Sequence, residues 1–269
     1  MGLSETLFQA GLCIILKEAK MLIDSHVHVG QYFDIYTSPQ DLLTFLNSVE
    51  VSCAIVSSTT ICEQNYKRVI DEFKELKRIS SFRVLPMLWV TPEMLENRSI
   101  IDDFLNADIP WRVIKIHPQL NPHSWLTLDG YTKSLILLAR SLKAPILIHT
   151  GEMDGCYPAQ YIHLFEYYKD VTFILAHGRP INETIDIMKE YSNIWTDTAF
   201  MPIENINKLC KAKLTDRILW GTDYPIPKYF YPQVDMLQYY RNLIEELHNT
   251  VSDIDFQKIT YKNFIRLFG

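Results

Sequence analysis

Glycine is scarce in this chain, with nine in 269 residues. None of the nine builds a Gly-rich phosphate turn after the first apolar run, which argues against a doubly wound nucleotide-binding sheet. Cysteine is also sparse: Cys13, Cys53, Cys62, Cys156 and Cys210 are scattered, odd in number and without a CxxC pair. That pattern excludes a disulfide framework and points to a reducing, cytoplasmic compartment. No apolar run approaches the ~18 residues of a membrane span. Basic charge is not in excess either; the net charge of -6 argues against nonspecific nucleic-acid binding. No linker, low-complexity tract or composition shift marks a second domain. The first twenty residues hold a short apolar core, "AGLCIIL", with no basic residues ahead of it and no small-residue cleavage site. They are therefore expected to be an N-terminal extension capping the core, not a signal peptide.

What the chain does have is a repeated alternation. Apolar, β-branched runs occur at 21–28, 53–59, 83–90, 112–118, 144–150, 171–177, 193–199 and 217–225. Short, nearly continuous runs of this kind suit strands covered on both faces. Amphipathic stretches lie between them, for example from Ser38, which is placed to cap a helix with Pro39 in its first turn. Eight strands alternating with helices over about 250 residues predict an α/β fold, a single (β/α)8 TIM barrel, over 21–269. Two further helices, 232–248 and 254–268, close the chain.

The stretch "IDSHVHVG" (23–30) raises the chemical question. Strand alternation puts Asp24, His26 and His28 on one face, and buried polar groups need partners. Active sites of such barrels lie at the C-terminal strand ends. His26 and His28 end the first expected strand, His149 the fifth, His177 the sixth, and Asp223 lies near the end of the eighth. Imidazoles with a carboxylate are a ligand set for zinc or a similar divalent ion. Asp24 would steady the histidines or cap a turn. Arg179 would pair with a substrate carboxylate or form a structural salt bridge. Tyr32, Trp125, Tyr157, Phe200 and Tyr224 would give the loops an aromatic character suited to a small ring or acid. Asp197 and Glu152 would contact substrate or hold a neighbour, and Cys156 has no histidine to activate it.

The segments "DSHVH", "ILIHTGE", "FILAHG" and "LWGTDYP", in that order, resemble the amidohydrolase superfamily. The nearest resemblance is to its amidohydrolase-related branch, which contains lactonases and aminocarboxymuconate-type decarboxylases. The terminal "ITYKNFIRLFG" is similar to the closing helix of that branch. The resemblance implies that His26, His28 and His149 bind a divalent metal, zinc before others, with Asp223 a further ligand or the general base. His177 would be a ligand or a free histidine polarising the scissile group. Lys115 and His117, in "VIKIHP", share a face. In two-metal members a carboxylated lysine bridges the ions, whereas the branch with this motif manages with one. One ion is therefore favoured, with Lys115 a charge partner or facing substrate. Nuclease-like members carry a glutamate there, so Lys115 argues against a nuclease. The resemblance thus implies a metal-dependent hydrolase of a small amide, ester or lactone, or alternatively a decarboxylase of a small unsaturated or aromatic acid. Lys115, Arg179 and Tyr224 would touch a small-molecule substrate. Neither nucleic acid nor membrane is expected as a partner, and a homo-oligomer stays open.

Overall fold

The computed structural model describes residues 21–80, 83–120 and 129–269. The expected extension 1–20 and Trp125 lie outside the described residues. Each of the eight apolar runs forms a strand: β1 (Ile23–Tyr32), β3 (Cys53–Ser58), β4 (Val84–Trp89), β5 (Val113–Ile116), β6 (Ile146–His149), β7 (Phe173–Ala176), β8 (Ile194–Asp197) and β9 (Ile218–Leu219). All are paired in parallel in chain order. An unforeseen short strand, β2 (Ile35–Thr37), pairs antiparallel with the end of β1. The barrel closes where Ser25 N donates to Trp220 O, Asp223 N to His26 O and His28 N to Tyr224 O, each at 2.7 Å. The last strand is only two residues long, so this seam does much of the closing.

Two apolar layers follow from the alternation of the strands. Residues such as Val27, Val56, Ile114, Ile148 and Leu175 point outward against the helices. Ile23, Ile55, Met87, Leu147 and Ile174 point inward, where Phe264 and Phe268 of the closing helix Asn263–Phe268 join them. Burying one such side chain contributes about 1.5–3 kcal/mol. The helices begin where the sequence caps them. Ser38 accepts from Asp41 N at the start of Pro39–Ser48, and the Asp41 carboxylate returns a bond to Ser38 N. Helices Pro92–Glu96, Arg98–Leu105 and Ile203–Lys211, which the sequence reading did not single out, lie between strands, and Ile226–Phe230 follows β9. Among the described residues no helix is long and apolar enough to cross a membrane.

One sequence expectation fails here. The β1–β3 register shifts between Asp24 and Val27, and this bulge reverses the parity of the strand. Ile23 points into the barrel, yet Val27 and Val29 point out. His26 and His28 therefore face the interior while Asp24 does not share their face. Asp24 instead accepts from Thr222 Oγ1 at 2.6 Å, Thr222 N and His26 N at 3.1 Å, and Tyr240 Oη at 3.3 Å. It clasps the closing seam. Burial pushes its carboxyl up to about 7 despite these donors.

Candidate active site at the barrel mouth

The interior parity established by the bulge carries the site. His26 and His28 rise from β1, Lys115 from β5, and Asp223 from the loop after β9. His28 Nε2 stands 2.7 Å from Asp223 Oδ1, and His26 Nε2 stands 3.3 Å from the same oxygen. Donor atoms of His26, His28 and Asp223 all lie within 4.8 Å of one another. Asp223 and His177 both adopt left-handed backbone, with φ of 61° and 68°. Residues other than glycine adopt this region uncommonly, Asp and His more readily than most. For His177 the geometric consequence is clear. Ala176 belongs to the interior layer, so simple alternation would turn the next residue outward; the left-handed turn brings it back.

Each imidazole is oriented from behind. His26 Nδ1 lies 2.8 Å from Asp197 Oδ2, and Ser57 Oγ lies 2.8 Å from His28 Nδ1. Asp197 Oδ1 accepts from His177 N at 2.9 Å and from Ala199 N at 3.0 Å. A second cluster of donor atoms, His26, His177 and Asp197, is thus already engaged in hydrogen bonds among its members, which makes it an anchor for the first cluster. His177 Nδ1 lies 3.0 Å from Ala199 O, a group that only accepts, so this nitrogen carries the proton. His177 Nε2 is then an acceptor for His149 Nδ1 at 3.0 Å. His149 also stacks on His117 with centroids 3.7 Å apart, and His117 stacks on Trp89 at 5.5 Å.

Lys115 Nζ sits 2.9 Å from His26 Nε2 and 3.4 Å from His28 Nε2. Burial lowers its ammonium to about 8, with Asp223 and Asp197 working against that shift. Burial, and then the Lys115 charge, holds His26 and His28 well below the ordinary histidine value. His117 and His149 are held down by burial first as well, and His177 to about 4. Neutral imidazoles are what a metal requires. The ammonium 2.9 Å from His26 Nε2 shows that this imidazole lone pair and the Asp223 carboxylate favour positive charge at one point. His28 Nε2, 2.7 Å from Asp223 Oδ1, carries a proton that an ion there would displace. Their orientation by Asp197 and Ser57 is the outer support usual for metal-ligating histidines. His26, His28 and Asp223 therefore fit a divalent ion.

A cavity of about 740 Å³ opens above this floor, lined by His28, Lys115, His149, His177, Arg179 and Asp223 among others. Arg179 lines it too, and its Nε is buried with no hydrogen-bond partner among the described residues. Of the five metal-ligand candidates, three converge; His149 stands apart, bonded to His177, because its ring is drawn toward His117. The expectation for Tyr224 is overturned. Its ring stacks flat on Phe45 at 3.6 Å, among the outward-facing residues, and does not line the cavity. Tyr32 and Phe200 line the cavity, whereas Tyr157, Glu152 and Cys156 do not. Ser57 and Trp89 were missed, although each sits at an inward position near the end of its strand, the same signal that marked the histidines.

Comparison with known proteins agrees with this architecture. The family model described as "Amidohydrolase" matches residues 23–269. No curated protein matches the chain. Among solved structures, a probable 2-pyrone-4,6-dicarboxylic acid hydrolase from Acinetobacter baumannii is 13% identical, with a TM-score of 0.68 over 92% of this chain and 99% of that one. The 2,6-dihydroxybenzoate decarboxylase from Rhizobium is 13% identical, with a TM-score of 0.65 over 94% and 99%. The 4-oxalomesaconate hydratase from Rhodopseudomonas palustris is 13% identical, with a TM-score of 0.62 over 92% and 95%. These likenesses concern the fold. With a family match over nearly its whole length, the chain belongs to the amidohydrolase family and is a member of the amidohydrolase superfamily.

Proposed function

We propose that this protein is a metal-dependent hydrolase that cleaves a small ester, lactone or amide carrying a carboxylate. The observation that carries the reading is the meeting of His26 Nε2, His28 Nε2 and Asp223 Oδ1, where His28 and Asp223 line the cavity and His26 lies buried behind them. These three residues would hold one divalent ion, zinc before others. Bound there, the ion supplies Lewis acidity and makes hydroxide available near neutral pH. Asp223 accepts the proton lost by the attacking water and returns one to the leaving group. Lys115 contributes positive charge at the floor, where the reacting carbonyl oxygen gains negative charge. His177, locked by Ala199 O and Asp197, holds His149 in one tautomer at the cavity wall. The Arg179 guanidinium, which lines the cavity, offers the carboxylate a charge-assisted bond.

Decarboxylation of a small unsaturated or aromatic acid is the second reading. It is favoured by the likeness to the 2,6-dihydroxybenzoate decarboxylase and to the 5-carboxyvanillate decarboxylase from Sphingomonas paucimobilis. Acid release from carboxylate-bearing lactones, measured against carbon dioxide release from aromatic acids, separates the two. The metal itself is tested by the double variant His26→Ala/His28→Ala. Its metal content should fall to background while the barrel stays folded on its apolar layers; full retention would exclude the assignment.

A further inference from the structure

The mouth of the cavity carries more apolar surface than the chemistry of its floor requires. Phe33, at the β1–β2 turn, is 69% exposed, and Phe230 and Tyr231, beyond β9, are 56% and 49% exposed. All three line the cavity, as do the exposed Leu120 and Met153. The rings form a continuous chain. Tyr32 meets Phe33 edge-on at 4.9 Å, and Phe33 stacks on Tyr229 at 5.0 Å. Tyr229 meets Phe230 at 5.3 Å, and Phe230 meets Phe200 at 5.8 Å. Each ring of this chain is braced by a neighbour, and Tyr231 lines the cavity next in sequence to Phe230. Exposed apolar surface concentrated around a cavity marks a place where a ligand is covered.

Charge is distributed unevenly along the same cavity. Lys115, Arg179 and the imidazoles sit at the floor and lower wall. Among the described residues, the only carboxylates lining it are Asp223 at the floor and Glu63. Away from Lys115 and Arg179, a second anionic group would find no lysine or arginine among the described lining residues, and Glu63 would repel it. The volume of about 740 Å³ lies in the upper part of the range that holds drug-sized ligands, about 300–1,000 Å³. A compact acid on the floor would leave the aromatic rim facing water.

We infer that the substrate is two-ended: an anionic head for Lys115 and Arg179, and an uncharged aryl tail lying along Phe33, Phe230 and Tyr231. This rests on the proposed function for its head and on the rim alone for its tail. Calorimetric titration of the full chain, loaded with zinc, with 4-phenylbutanoate and with butanoate separates the two. The phenyl acid should bind at least tenfold more tightly. In Phe33→Ala/Phe230→Ala that preference should fall below threefold with the thermal midpoint kept, since both side chains are exposed. Tyr167→Ala, at a residue 80% exposed and outside the cavity lining, should preserve it. Equal affinity for the two acids, or a preference that survives the double substitution, overturns the tail while leaving the head site standing. Binding of neither acid overturns the head site and the inference together.

Discussion

Asp197 Oδ2 stands 2.8 Å from His26 Nδ1, while the other oxygen of the same carboxylate receives the backbone N–H groups of His177 and Ala199. One buried side chain on β8 thus orients a residue of β1 and the turn after β7. Asp197→Asn separates these duties. The amide oxygen can keep the two backbone donors, but its NH2 then faces His26 Nδ1 and forces that nitrogen to accept. The proton of His26 moves to Nε2, the atom proposed to ligate. Metal affinity should fall about 10–100-fold, measured by chelator competition, with the fold intact by circular dichroism. Unchanged affinity would remove Asp197 as the positioning residue.

Asp223→Asn asks whether this carboxylate moves protons as well as holding charge. Loss of a general acid or base costs about 10²–10⁴ in rate, whereas His26 and His28 persist as ligands. Turnover of whichever substrate the panel identifies should drop into that range, with metal stoichiometry measured in parallel. Full turnover by the variant would exclude Asp223 as the proton acceptor.

Much of this site was legible because a parallel barrel converts sequence position into place. Every expected strand end with a histidine does reach the mouth, and "LWGTDYP" delivers Asp223 to His28. The failures have local causes. A single-residue bulge near His26 reverses strand parity, which periodicity cannot register, so Asp24 went to the seam instead of the site. Tyr224 follows a left-handed Asp223 and turns outward onto Phe45. The partner of His149 depends on which rings stack, a contact between β5, β6 and β7 that no one segment encodes. The rim residues Phe33 and Phe230 read as ordinary loop aromatics until both loops are placed beside the same cavity.

The buried histidines set the acid stability of the protein. His26, His28, His117, His149 and His177 all have folded values below the ordinary 6.5. For such a group the unfolded chain takes up protons first as pH falls. Its contribution is therefore complete above about 6.5 and is lost toward the folded value, about 4 for His177. Asp24 acts in the opposite sense. Its folded value of about 7 lies above 3.8, so its contribution is lost as pH rises through 7. Burial raises the carboxyls of Asp197 and Glu72 in the same sense as Asp24. Five imidazoles thus stand against three carboxyls, each limited to about 1.36 kcal/mol per pH unit. Urea unfolding of the metal-free protein should show stability falling from pH 6.5 to pH 4.5. A flat or rising profile would mean that these imidazoles are not buried in their neutral form.

Gly178 separates His177 from Arg179, and its backbone is left-handed at φ +51°. A Cβ there would stand 2.5 Å from Met201 Cε and 2.6 Å from Thr196 Oγ1. The methionine end can swing away. The threonine cannot, because it is β-branched and its hydroxyl is committed to Leu175 O at 2.7 Å. Gly178→Ala should thus cost about 1–3 kcal/mol from the backbone conformation alone, with the steric conflict added. Gly130 provides the contrast: it lies in the helix Asp129–Leu142 and a Cβ there meets nothing within 4 Å. Gly130→Ala should stabilise by about 0.4–1 kcal/mol through the unfolded chain. Thermal midpoints that shift in opposite directions for the two alanines would tie the cost to the crowded turn behind His177. Equal shifts would show that this turn has room the geometry denies it.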